Sequence, residues 1–189
     1  MISTSSELAV EQARAWWEEA PLYLDTETTG LSETDRVIEI ALIDAEGRPL
    51  LDTLVHTTRP ISSRARKVHG INHDMLENAP RWDKVAEQLQ TLLAGQAVGL
   101  YNAGFDLKMI HQTNRQHWIS WDPTSGLRTF DLMELYAQYR GIKRPGRPGN
   151  RRFSLEDAAR QSGLPLTNTH RAKDDALLTR ALHRYLTEA

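Results

Sequence analysis

Apolar and polar positions along the chain follow two different periods, and the switches between them divide it into elements. Glu7–Glu19 spaces Leu8, Val10, Ala13, Trp16 and Trp17 among charges, the pattern of an amphipathic helix, and Pro21 stops it. Leu22–Leu24 is a short apolar run that ends at Asp25, as a buried strand does when it delivers its last residues to an opening. Val37–Asp44 and Leu50–Thr57 are two further strand candidates, separated by a turn through Glu46, Gly47, Arg48 and Pro49. Three consecutive strands predict an antiparallel meander. Beyond them strand and helix alternate: Trp82–Leu93 has helical spacing, Gln96–Leu100 reads as a buried strand and Asp106–Asn114 as a helix. A strand near Leu127–Phe130 follows, then helices near Asp131–Tyr139, Ser154–Gln161 and Ala172–Thr187. Ser154 is placed to cap its helix, with Asp157 adding negative charge to the first turn. The pattern is α/β, a mixed central sheet flanked by helices in a single domain.

Composition narrows the chemistry. A chain of 189 residues encloses a core without help from disulfides or a structural metal, and the complete lack of cysteine excludes thiolate zinc sites and cysteine nucleophiles. The amino terminus has no basic, apolar leader and no segment has the run of roughly 18 apolar residues that a membrane span needs, so the expectation is a cytoplasmic protein without membrane attachment. Net charge is −2, which argues against phosphate binding until its distribution is considered. Arg140, Lys143, Arg144, Arg147, Arg151 and Arg152 fall together with no acidic residue among them. Such a block is a solvated loop by default and a phosphate-attracting patch if it lies beside a site.

Three clusters carry candidate chemistry. Asp25 and Glu27 are two apart on a strand, so both carboxylates project from one face toward a common hard cation. Thr28, Thr29 and Gly30 then turn, and their backbone amides are candidates to meet a terminal hydroxyl or phosphate. The second cluster is Tyr101-Asn102-Ala103-Gly104-Phe105-Asp106, after another apolar strand, with Asp106 near a helix start where simple capping is the plainer reading. In the third, His170 precedes the last helix and Asp175 follows about one turn later, so both side chains can point at one place. Asp174 competes with Asp175 for that role; the spacing from His170 favours Asp175. Together these supply four carboxylates and an imidazole from strand and helix ends far apart in sequence, a set suited to two divalent ions roughly 3.5–4 Å apart and a histidine that accepts a proton near neutral pH.

The order Asp-x-Glu, Asn-x-x-Phe-Asp, then His with Asp five positions on resembles the DEDDh exonucleases, a family that includes the proofreading subunit of bacterial replicative DNA polymerase. The resemblance runs from about Leu22 to Leu186. It implies a ribonuclease H-like fold, with residues 22–189 as the exonuclease domain and residues 1–21 as a helical extension. It further implies removal of nucleotides from single-stranded 3′ ends as nucleoside 5′-monophosphates. Asp25, Glu27, Asp106 and Asp175 take the positions that hold two Mg²⁺ or Mn²⁺, and His170 that of the general base. Thr28, Thr29, Gly30, Leu31, Asn102 and Phe105 fall at substrate-binding positions, as do Val68 and His69 in Lys67-Val68-His69-Gly70-Ile71. Tyr101 stands where many relatives have histidine, and Arg171 occupies the position at which a sister subclass carries a tyrosine base. DNA is the expected polymer, with trimming of RNA 3′ ends as one alternative. A second alternative is a polymerase-associated accessory that docks through the Trp16 and Trp17 helix. A polymerase or a second copy of the chain is the protein partner to expect.

Overall fold

The computed structural model describes residues 4–165 and 169–189. Five strands form one sheet in the order β3-β2-β1-β4-β5. β1 (Leu22–Thr28), β2 (Val37–Ile43) and β3 (Pro49–Leu54) are the antiparallel meander, whereas β4 (Ala97–Leu100) and β5 (Arg128–Asp131) run parallel to β1. The mixed α/β architecture read from the sequence is therefore the one present. β3 stops at Leu54 rather than Thr57, because the chain leaves the ladder: His56 N–H donates to Pro80 O (2.9 Å).

Helices cover both faces. α4 (Trp82–Leu93) and α5 (Ala103–Gln116) pack on one, burying Leu22, Leu24, Val98 and Leu100 with Trp82, Leu89 and Ile110. α1 (Ser5–Glu18), α6 (Leu132–Arg140), α7 (Leu155–Gln161) and α8 (Ala172–Glu188) cover the other, around Tyr23, Ile43, Phe130, Tyr136, Leu182 and Leu186. The alternation of β1 explains the division: Leu22, Leu24 and Thr26 face α4 and α5, while Tyr23, Asp25 and Glu27 face α8. Two short helices, α2 (Ser63–His69) and α3 (His73–Leu76), follow β3. Their polar sequence lacks a helical apolar stripe, and each is defined instead by a cap, Ser62 accepting from Ala65 N–H and Asn72 from Met75 N–H.

Trp16 and Trp17 turn inward. Trp16 stacks on Phe130 at 4.8 Å and Trp17 meets the ring of His183 edge-on at 5.3 Å. His183 is fully buried. Its Nε2 lies 2.8 Å from Ala13 O, an acceptor, so Nε2 carries the hydrogen and Nδ1 accepts from Tyr23 OH at 2.7 Å. Burial lowers its pKa to about 4, and this neutral imidazole ties α1, β1 and α8 together.

Candidate active site

The site forms where the sheet opens. β4 pairs with β1 only at Leu22 and Tyr23, so from Asp25 onward one edge of β1 is free of strand partners, and the crevice beyond the ends of parallel strands is where α/β proteins bind ligands. Asp106, on the fourth residue of α5, enters this gap. Its Oδ1 accepts from Thr26 N–H (3.1 Å) and Thr26 Oγ1 (2.6 Å). The capping role that the sequence suggested for Asp106 belongs to Asp131 instead, whose carboxylate accepts from Asn102 N–H and Ala103 N–H, both at 3.0 Å. That external cap starts α5 at Ala103, three residues before the expected start.

On the other face of β1, Asp25 and Glu27 share one side as their spacing required, and Asp175 of α8 joins them. One carboxylate oxygen from each of the three lies within 4.8 Å of the others. His170 Nδ1 is 4.0 Å from Asp175 Oδ2, with half of the imidazole exposed to solvent. Asp174 is turned aside, accepting from Thr169 Oγ1 at 2.7 Å. A cleft of about 290 Å³ opens beside two of the clustered carboxylates, lined by Asp25, Asp175, Tyr101, Asn102, Met133 and Phe153–Leu155. Tyr101 does not disturb Asp106; its hydroxyl donates to Phe153 O at 2.8 Å and closes the cleft wall. A wider groove of about 770 Å³ runs along the outer face of α5, and none of the four carboxylates lines it.

Desolvation is the largest influence on every one of these carboxyls, and mutual repulsion adds to it. Glu27 is pushed up to about 9, by burial first and then by Asp175, Glu39 and Asp106. Asp25 is raised strongly by burial and then by Asp106, Asp175 and Glu27. Burial lifts Asp106 to about 7 against the opposing Thr26 hydrogen bonds, and lifts Asp175 to about 7. Asp175 Oδ1 is buried without a hydrogen-bond partner. Crowded, all-oxygen donors with an unsatisfied lone pair suit hard divalent cations, so the residues fit the ions that the sequence resemblance implies.

The remaining predicted contacts divide in two. Leu31 and Val68 are exposed, at 68% and 47%, Asn102 is exposed and Phe105 is half-buried. Thr28, Thr29 and His69 are buried and hold the turn together. Thr28 Oγ1 donates to Gly30 O (2.8 Å), and Thr29 N–H is engaged by Arg36 O (2.9 Å) and so does not point outward. His69 accepts from Ile71 N–H at Nδ1 (3.0 Å), which leaves Nε2–H to donate to Thr28 O (3.2 Å). Val68 and His69 end α2. Gly30 is required by close approach: a Cβ there would sit 2.7 Å from Asp35 Oδ2.

Sequence reasoning missed Glu39, Asp131 and Phe153. Glu39 lies directly opposite Glu27 in the β1/β2 register and is buried, and a carboxylate inside the apolar run Val37–Ile43 was the signal available for it.

A five-stranded mixed sheet with carboxylates gathered at its open edge defines a ribonuclease H-like nuclease. More narrowly, the chain belongs to the exonuclease family, whose model matches residues 22–182. It is 36% identical over 174 residues to an uncharacterised exonuclease, CP81, of Escherichia phage 186, covering 89% of each chain. It is 31% identical over 156 residues to DNA polymerase III subunit epsilon of Treponema pallidum, covering 80% of this chain and 69% of that one. E. coli exonuclease I in complex with a dA16 oligonucleotide shares the fold at a TM-score of 0.70 and 20% identity. That match takes in 88% of this chain but spans 40% of the exonuclease I chain. Among the described residues no helix is long and apolar enough to cross a membrane.

Proposed function

We propose that this chain is a 3′–5′ exonuclease that hydrolyses the terminal phosphodiester of single-stranded 3′ ends, DNA in preference to RNA, releasing nucleoside 5′-monophosphates. The observation that carries the reading is the convergence of Asp25, Glu27 and Asp175 within 4.8 Å, with His170 4.0 Å from the last of them. Asp25, Glu27, Asp106 and Asp175 hold two Mg²⁺ or Mn²⁺; when bound, such a pair supplies positive charge to the attacking water and to the leaving oxygen. His170, half exposed beside Asp175, accepts the proton of the attacking water, a role that suits an imidazole near neutral pH. Asn102, Phe105, Leu31 and Val68 are offered to the terminal nucleotide. Thr28, Thr29, Gly30 and His69 fix the turn against which it rests.

The basic block supports a strand-guiding role. Lys143 and Asn150 form an antiparallel bridge, and the hairpin runs straight into Phe153–Leu155 of the cleft wall. Arg140 and Arg151 lie over the Phe153 ring at 5.6 and 5.2 Å. Arg144, Arg147 and Arg151 are exposed on the hairpin, and exposed cations next to the cleft favour a phosphate backbone. The likeness to an epsilon subunit favours DNA, and makes a polymerase the first protein partner to test, ahead of a second copy of the chain.

The test uses 5′-labelled single-stranded DNA, single-stranded RNA and 3′-mismatched duplex DNA with Mg²⁺, Mn²⁺ or EDTA. Metal-dependent shortening from the 3′ end, fastest on single-stranded DNA and lost in Asp25→Ala and His170→Ala, is expected. Inertness on all three substrates with metal bound would overturn the reading. Faster trimming of RNA would keep the reaction and replace its substrate.

A further inference from the structure

We infer that Glu39 and Arg171 form a positioning bracket that sets the first turn of α8, and through it Asp175 and His170, against Asp25 and Glu27. The inference rests on the reading of that cluster as a metal-dependent nuclease site.

Glu39 and Glu27 are direct cross-strand partners, a placement in which like charges repel. Glu39 is diverted from its neighbour. Its two oxygens accept from Arg171 Nε at 3.0 and 3.1 Å, from Arg171 Nη2 at 2.5 Å and from Ala172 N–H at 3.1 Å. Glu39 is 3% exposed, so these donors replace the water it gave up, and the guanidinium supplies the opposing charge. A carboxylate so engaged is a scaffold for the site, not another ligand.

The bracket acts at the place where α8 lacks a cap of its own. Arg171 occupies the N-cap without a side-chain cap hydrogen bond, and the first free helix N–H is satisfied by Glu39 from a strand 133 residues earlier. His170 immediately precedes this point in a left-handed conformation (φ 55°), and Asp175 N–H donates to Arg171 O at 3.0 Å. Any slide or rotation of the first turn therefore moves both site residues together relative to β1. Because a fork of parallel N–H donors fixes angle as well as distance, lysine at position 171 keeps the charge and loses the orientation.

The test compares Arg171→Lys, Arg171→Met, Glu39→Gln and the Glu39→Gln/Arg171→Met double variant. Three measurements are made: Mn²⁺ affinity by electron paramagnetic resonance titration without nucleic acid, kcat and KM on single-stranded DNA, and thermal unfolding. The single variants should lose about 10–100-fold in kcat with KM nearly unchanged, and lose Mn²⁺ affinity by a similar factor. The double variant should lose no more than the worse single one, as coupled residues do. Wild-type kcat and Mn²⁺ affinity in folded Arg171→Lys and Arg171→Met would overturn the bracket, even if their unfolding temperatures fall. A raised KM with kcat intact would also overturn it, by assigning Arg171 to substrate contact. Arg171 is 40% exposed, so its variants report even if Glu39→Gln does not fold. Absence of metal-dependent trimming by the wild-type chain would instead refute the underlying nuclease reading.

Discussion

α5 and α8 approach the site by the same device and deliver their aspartates in different conditions. Each is entered through a non-glycine residue in the left-handed region, Asn102 (φ 68°) at the N-cap of α5 and His170 (φ 55°) one residue before the N-cap of α8. Neither has a side-chain cap of its own. Each borrows a strand carboxylate, Asp131 for α5 and Glu39 for α8. The outcomes diverge at the carboxylates they carry. Asp106 is held by two hydrogen bonds from Thr26, whereas Asp175 keeps a buried oxygen with no hydrogen-bond partner. Backbone hydrogen bonds from His170 and Thr169 also engage the Asp175 carboxyl, so the difference lies in the one oxygen, Oδ1, that the protein leaves for a cation to complete. An acidic site built this way gains rigidity on one face of β1 and ligand capacity on the other.

The sharpest way to break that comparison is to neutralise each aspartate in turn. Asp175→Asn should cut kcat by about 10³-fold, the scale on which removal of a charge-stabilising group usually acts. It should also weaken Mn²⁺ binding in the absence of nucleic acid more than Asp106→Asn does. Equal losses of Mn²⁺ affinity in the two variants would show that the Thr26 hydrogen bonds do not divide the acids into anchored and cation-seeking classes. The borrowed caps come next. Asp131 accepts from Met133 N–H as well as from Asn102 and Ala103 N–H, so Asp131→Ala removes the cap of α5 and of α6 at once. Chemical denaturation should show a loss of about 2–3 kcal/mol, given about 1 kcal/mol for an ordinary cap. A loss below that of one cap would mean that water replaces Asp131.

What could be read from the sequence follows the reach of each interaction. Asp25 and Glu27 were legible because strand period alone puts them on one face. Asp175 was separated from Asp174 by its spacing from His170. Asp106 was found for its residue type but given a local cap as its plainer role, since the Thr26 partner lies 80 residues away. Glu39 and Asp131 were missed for the same reason: a carboxylate that caps a helix from another strand leaves no mark near that helix. α2 and α3 escaped because capping side chains, not apolar periodicity, define them.

Proton linkage tests the crowding common to both faces. Glu27 with a pKa of about 9, and Asp106 and Asp175 with values of about 7, hold protons more tightly in the folded chain than in the unfolded one, where carboxyls titrate near 4. Between those limits the folded state binds more protons, so its stability falls as pH rises from the unfolded value through the folded ones. Metal-free protein in EDTA should lose at least about 5 °C of unfolding temperature between about pH 5 and pH 9, equivalent to about 2 kcal/mol for a domain of this size. Mn²⁺ should restore most of it at the alkaline end, where the carboxylates are ionised. A flat profile would mean that the acids are better solvated than their burial implies.

The smallest effect isolates the left-handed entrance itself. Asn102→Gly relieves the backbone while removing the side chain, whereas Asn102→Ala removes the side chain and keeps a Cβ in a region that costs about 1 kcal/mol. Denaturation should therefore place Asn102→Ala about 1 kcal/mol below Asn102→Gly, with the glycine variant close to the wild type. If the two variants nevertheless lose the same fraction of kcat/KM on single-stranded DNA, the contribution of Asn102 to the reaction lies in its amide and not in its backbone. If only Asn102→Ala loses activity, the left-handed turn is what aims α5 into the gap beside β1, and the two entrances are alike in mechanism as well as in shape.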